Sequence, residues 1–114
     1  MTPTTRIFNE LLAVTARTYN VNLDRLTTEE RMPGPKVREA RQVIFFIGSD
    51  TLGLTTRELG QLMQRDATAA SWAIRRCRRQ LKKRPVLRRT VEQLSRHIRE
   101  YVRHVDMLAA EAAE

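Results

Sequence analysis

Apolar residues recur every three or four positions along most of this chain, and no segment shows the two-residue alternation of a strand. From about Arg6 to Tyr19, the residues Ile7, Leu11, Leu12, Val14 and Ala16 give a helical stripe. Asn20-Val21-Asn22-Leu23 turns the chain, and Asp24 opens a short helical turn carrying Leu26. Thr27 to Pro35 reads as a loop, ending in the breaker run Pro33-Gly34-Pro35. A helix from about Lys36 to Gly48 presents Val37, Ala40, Ile44 and Ile47, with Gly48 as its expected stop. Within it, the apolar run Val43-Ile44-Phe45-Phe46-Ile47 marks a segment buried on most sides.

Thr55 with Glu58 three residues on has the form of a capping box opening a helix to about Met63. Asp66 caps the next helix, which runs to about Arg84, and Pro85 breaks the chain or opens the last helix. That helix, about Val86 to Ala110, carries Val91, Leu94, Ile98, Tyr101, Val102, Val105 and Leu108 on one stripe. An Ala/Glu tail at 109–114 is expected to fray. The fold predicted is all-α: one compact multi-helix domain over 1–114, with paired helices at about 55–84 braced by the helix at about 86–110.

Charge changes the picture. The chain holds 21 Lys+Arg against 13 Asp+Glu, a net +8, which suits a polyanionic partner. The excess is uneven: residues 1–60 carry eight basic and seven acidic side chains, and residues 61–114 carry the rest. No acid interrupts residues 67–91, where nine cations fall in the fifteen positions from Arg75 to Arg89. A merely solvated helix face normally mixes signs, so this run points to phosphate contacts. Cys77 is the single cysteine, which excludes an internal disulfide, and it is expected to be a small buried hydrophobe. The N-terminus lacks the apolar core of a signal peptide, and no apolar run approaches the roughly 20 residues of a membrane span. A cytoplasmic, nucleoid-associated protein without a membrane partner is expected.

The stretch from Thr55 to Arg89 has the grammar of a helix-turn-helix. A capped helix meets the turn Gln64-Arg65-Asp66. A second helix follows, slim on its first turn (Ala67-Thr68-Ala69-Ala70) and basic afterwards. Its residues resemble the C-terminal DNA-binding domain of the bacterial chromosomal replication initiator DnaA. That family carries Glu-Ile-Gly before the turn and Arg-Asp-His-Thr-Thr-Val opening the recognition helix, then an Ala-x-x-Arg/Lys run. Here stand Glu58-Leu59-Gly60, Arg65-Asp66-Ala67-Thr68-Ala69-Ala70 and Ala73-Ile74-Arg75-Arg76. Upstream, Ala40-Arg41-Gln42 and Tyr19-Asn20-Val21 match further family positions, so the resemblance spans about Ile7 to Ile98.

The resemblance implies a compact, Trp-repressor-like helical domain that binds a short asymmetric DNA box as a monomer. It also implies a recognition helix in the major groove and an arginine of the preceding basic loop in the minor groove. The chain departs from the family where a base-reading His is replaced by Ala67, the second Thr by Ala69 and the Val by Ala70. Ala67 cannot hydrogen-bond, which limits readout there to apolar contact, for instance with a thymine methyl. The loop that is basic in the family contains Glu29 and Glu30 beside Arg31.

The base-contacting candidates are therefore Arg65, Asp66, Ala67 and Thr68, with Asp66 serving equally as an N-cap. The candidates for phosphate or minor groove are Thr55, Lys36, Arg38, Arg41, Arg75, Arg76, Arg79 and Lys82, Arg38 being the minor-groove choice. Trp72, next to core-facing Ala73, is expected to pack inside. His97 and His104, seven apart, lack the spacing and the third ligand of a metal site. No phosphate loop, catalytic triad or Cys/His pair is present, so neither an enzyme, a cofactor nor a metal is expected. The expected function is sequence-preferring binding of double-stranded DNA in transcription or replication control. The alternative is a protein-interaction adaptor that kept the fold and lost base readout, with a homodimer or protein partner on helix 86–110. RNA readers usually offer stacking aromatics, and the six aromatics here fall mostly at core spacing.

Overall fold

The computed structural model describes residues 1–28 and 33–113, and among them every regular element is a helix. In chain order these are α1 (Pro3–Tyr19), α2 (Asp24–Thr27), α3 (Pro35–Asp50), α4 (Thr56–Leu62), α5 (Ala67–Lys83) and α6 (Pro85–Ala113). The acidic loop residues Glu29 and Glu30, with Arg31, lie outside the described residues.

The helix ends follow local chemistry. Thr2 accepts a hydrogen bond from the Thr5 amide at 3.1 Å, and Pro3 occupies the first helical position, so α1 begins ahead of the expected Arg6. Asn20 closes α1 in the left-handed region at φ 53°, a conformation Asn tolerates better than most residues. Arg84 is extended, as the residue before a proline must be, and Pro85 opens α6.

Gly48 does not stop α3, which continues to Asp50. A side chain at 48 would run into the side chain of Leu59, so the glycine serves the seating of α4 against α3. Helix α6 extends to Ala113, and its residues from Asp106 onward are all exposed.

The core is built around α3, whose residues 40–48 are buried without a break. This accounts for the unbroken apolar run in the sequence: α1, α2, α4, α5 and α6 all pack on this one helix. One cluster joins Phe8 and Leu11 of α1, Ile44 and Ile47 of α3, Leu59 of α4, Cys77 of α5 and Ile98 of α6. Burying such a side chain contributes about 2 kcal/mol, against about 1 for a helix cap, so packing on α3 decides the fold. Polar ties reinforce it: Tyr19 donates to Glu39 at 2.8 Å, Glu39 pairs with Arg84, and His97 meets Glu10 at 2.6 Å across α6 and α1.

Cys77 is enclosed, as its position implies, and burial pushes its thiol up to about 12. The native thiol therefore stays protonated where an unfolded one, near 8.5, already ionises. Its contribution to stability is full below pH 8.5 and is lost as pH rises from there towards 12. The thiol is expected to resist Ellman's reagent at pH 8 in the native protein and to react fully in denaturant. Fast native labelling at the unfolded rate would contradict its burial.

Candidate nucleic-acid interface

Helix α4 opens on a complete capping box: Thr55 accepts from the Glu58 amide, and Glu58 accepts from the Thr55 amide, both at 3.1 Å. The Thr55 hydroxyl still has a proton to donate outward, and the residue is exposed. After Leu62 the chain turns sharply. Gln64 adopts φ 56°, and the Arg65 amide returns to the Gly60 carbonyl at 2.7 Å. Asp66 then caps α5 by accepting from the Ala69 amide at 2.7 Å through one carboxylate oxygen, leaving the other for a second partner.

The register of α5 is set by its inner face. Ala70, Ala73, Ile74 and Cys77 are buried at steps of three and four, and two small alanines let α5 lie close to α3 and α4. At 100° per residue the opposite ridge is Thr68, Trp72, Arg75 and Arg79, continued by Lys82, and all five are exposed. Ala67 is also exposed on the first turn, while Ala70 is fully enclosed. Among the described residues neither Arg75, Arg79 nor Lys82 meets a carboxylate within ion-pair distance.

Trp72 corrects the sequence expectation of a packed aromatic. It is 50% exposed in the middle of the outward ridge, with the Arg76 guanidinium 5.5 Å from its ring centre. Arg41 is a second correction. It is only 9% exposed and donates to the carbonyls of Arg25 at 2.5 Å and Thr28 at 3.1 Å. It braces α2 against α3, with its guanidinium turned to backbone carbonyls. Arg65 is half-buried and its guanidinium reaches the same Thr28 carbonyl, with a further bond to the Gln64 carbonyl at 3.2 Å. In this conformation it ties the turn to the end of α2.

Lys36 and Arg38 are exposed on the first turns of α3. The fold brings Arg38 to Arg76, 38 positions away, in a cleft of about 160 Å³ between α3 and α5. Gln42, Gln80, Glu39 and Arg84 complete most of its wall. Among the described residues Glu39 is the one carboxylate there, and it is already engaged by Arg84 and by the Tyr19 hydroxyl. Two guanidiniums and two amides therefore remain to hold an anion, and a phosphate oxygen fits that donor set. Nothing in the sequence singles out Gln80, and neither Gln42 nor Arg84, though noted in the family match and in the cation run, is placed beside Arg38 by the sequence. Only the packing of α3 on α5 makes them neighbours.

Neither a known protein family nor a characterised protein matches this chain in sequence. Among the described residues no helix is long and apolar enough to cross a membrane, and no group of three or more His, Cys, Asp and Glu could hold a metal ion.

Proposed function

We propose that this protein binds double-stranded DNA with α4 and α5 acting as an initiator-like helix-turn-helix. The observation that carries the reading is the outward ridge of α5: Thr68, Trp72, Arg75 and Arg79 stand opposite a buried, alanine-rich face. A slim, capped helix with its long polar side chains on one ridge suits the major groove, about 12 Å wide. Arg75, Arg79, Lys82 and the Arg38–Arg76 cleft hold phosphates on either side. Asp66, Ala67 and Thr68 approach base edges at the tip of α5, and Trp72 brings an apolar ring with one N–H donor where the family-like pattern offers little readout. Such a protein occupies sites on the chromosome and regulates transcription or replication there.

Selection from a random duplex library, with retesting at two salt concentrations, examines this directly. A recovered motif is expected, with Thr68→Ala and Trp72→Ala each losing about tenfold affinity for it and less for random duplex. Enrichment of no sequence, with binding that vanishes at physiological salt, would reject base readout. The protein-adaptor reading has its own support in the end of α6, where Met107 and Leu108 are exposed. A stable complex or dimer by light scattering, without sequence preference on DNA, would favour it.

A further inference from the structure

We infer that a second, separate site lies at the other helices: a cavity that takes a small-molecule carboxylate with an apolar body. The inference is independent of the DNA reading, because no residue of α5 lines this cavity. It measures about 370 Å³, within the usual range of small-molecule sites, roughly 300–1,000 Å³. Ile7 of α1, Leu52 and Leu54 of the α3–α4 connection and Val102 of α6 form its apolar wall, all of them only partly buried. Arg99 and Arg103 stand on its α6 side, exposed and one helical turn apart. Thr4, on the first turn of α1, adds the positive end of a 17-residue helix.

Three features select the ligand class. The apolar wall wants a hydrocarbon or aromatic body. The two guanidiniums want an anion, and like charges at this helical spacing repel one another until an anion sits between them. Among the described residues neither meets a carboxylate within ion-pair distance. Arg99 also borders a neighbouring cleft containing Asp50 and Glu92, while Glu100 and Asp106 stand three positions either side of Arg103 on α6. Third, the wall is preformed. Leu52, Gly53 and Leu54 donate to the carbonyls of Ile47, Ser49 and Gly48 at 3.0–3.2 Å, so little ordering is required on binding. Those residues lead straight into the Thr55 cap, so an occupant would rest against the segment that positions α4.

Octanoate is a suitable probe, followed by amide chemical shifts of the whole chain, with octan-1-ol and inorganic phosphate as comparisons. Saturable shifts are expected at Leu52, Gly53, Leu54 and Val102. Binding is expected to be about tenfold tighter than that of octan-1-ol, and to weaken about tenfold in Arg103→Gln or Arg99→Gln. Both arginines are exposed, so these variants keep the fold, and an unchanged melting temperature verifies it. Equal binding of octan-1-ol, equal binding of phosphate alone, or shifts confined to α5 and indifferent to both variants would each overturn the proposal. So would the absence of any saturable shift.

Discussion

Replacing Arg38 and Arg76 together by glutamine is expected to weaken binding to duplex DNA by roughly 30-fold near physiological salt, at about 1 kcal/mol for each of the two solvent-screened guanidinium–phosphate contacts removed. The same double variant is expected to reduce the slope of log affinity against log salt by about 1.8, because each phosphate neutralised contributes about 0.9. The weakening should be uniform across sequences, since these two side chains line a cleft beside α5 and not its outward ridge. Fold integrity is a minor concern: Arg38 is exposed, and Glu39 keeps its pairing with Arg84 and Tyr19. Arg41→Gln makes the informative contrast. Its guanidinium is spent on the carbonyls of Arg25 and Thr28, so the variant is expected to lose stability while its salt slope stays put. A salt slope that falls with Arg41→Gln and not with the double variant would place the phosphate contacts elsewhere.

That contrast also marks the limit of what the sequence could tell. Arg38 and Arg41 are three residues apart on one helix and look alike in a charge plot, yet one is exposed and the other buried. The difference comes from α2, whose carbonyls lie where position 41 points, and that placement is tertiary. Periodicity locates each long helix because an amphipathic stripe needs only local spacing. It misjudges Gly48, since a glycine that ends a helix and one that admits Leu59 are the same letter.

The exposure of Trp72 was within reach of the sequence. Being adjacent to Ala73 in the chain means being 100° away on the helix, and the buried set Ala70, Ala73, Ile74, Cys77 already puts 72 on the outer side. The Arg38–Arg76 cleft was not legible at all, because it depends on how α3 and α5 cross. Candidate residues could be named one by one, but their grouping required the packed structure.

Gly60 is where the geometry of the candidate interface is most exposed to a single change, and Gly60→Ala is expected to destabilise the protein by about 1–3 kcal/mol. The sign is the informative part. In an open helical position, alanine for glycine gains about 1 kcal/mol from propensity alone. At position 60, a Cβ would sit 2.6 Å from the carbonyl oxygen of Arg65 and 3.1 Å from the carbonyl carbon of Asp66. These are backbone atoms of the turn, and they cannot swing aside as a side chain end can. Relief requires moving the turn, which would disturb the Arg65 amide bond to the Gly60 carbonyl and the strained Gln64, and with them the cap at Asp66. For a chain of this size the destabilisation corresponds to a melting temperature lower by about 4–12 °C. Displacing the start of α5 also shifts Thr68 and Trp72 relative to the cleft on α3. Duplex affinity is therefore expected to fall even at temperatures where the variant is fully folded. Gly34, the N-cap of α3, where a Cβ meets nothing within 4 Å among the described residues, supplies the control: Gly34→Ala should cost only the modest difference between Gly and Ala at an N-cap and leave binding intact. A Gly60→Ala variant as stable as the parent would mean that the α4–α5 turn is looser than this geometry requires, and the fixed presentation of the α5 ridge would lose its physical basis.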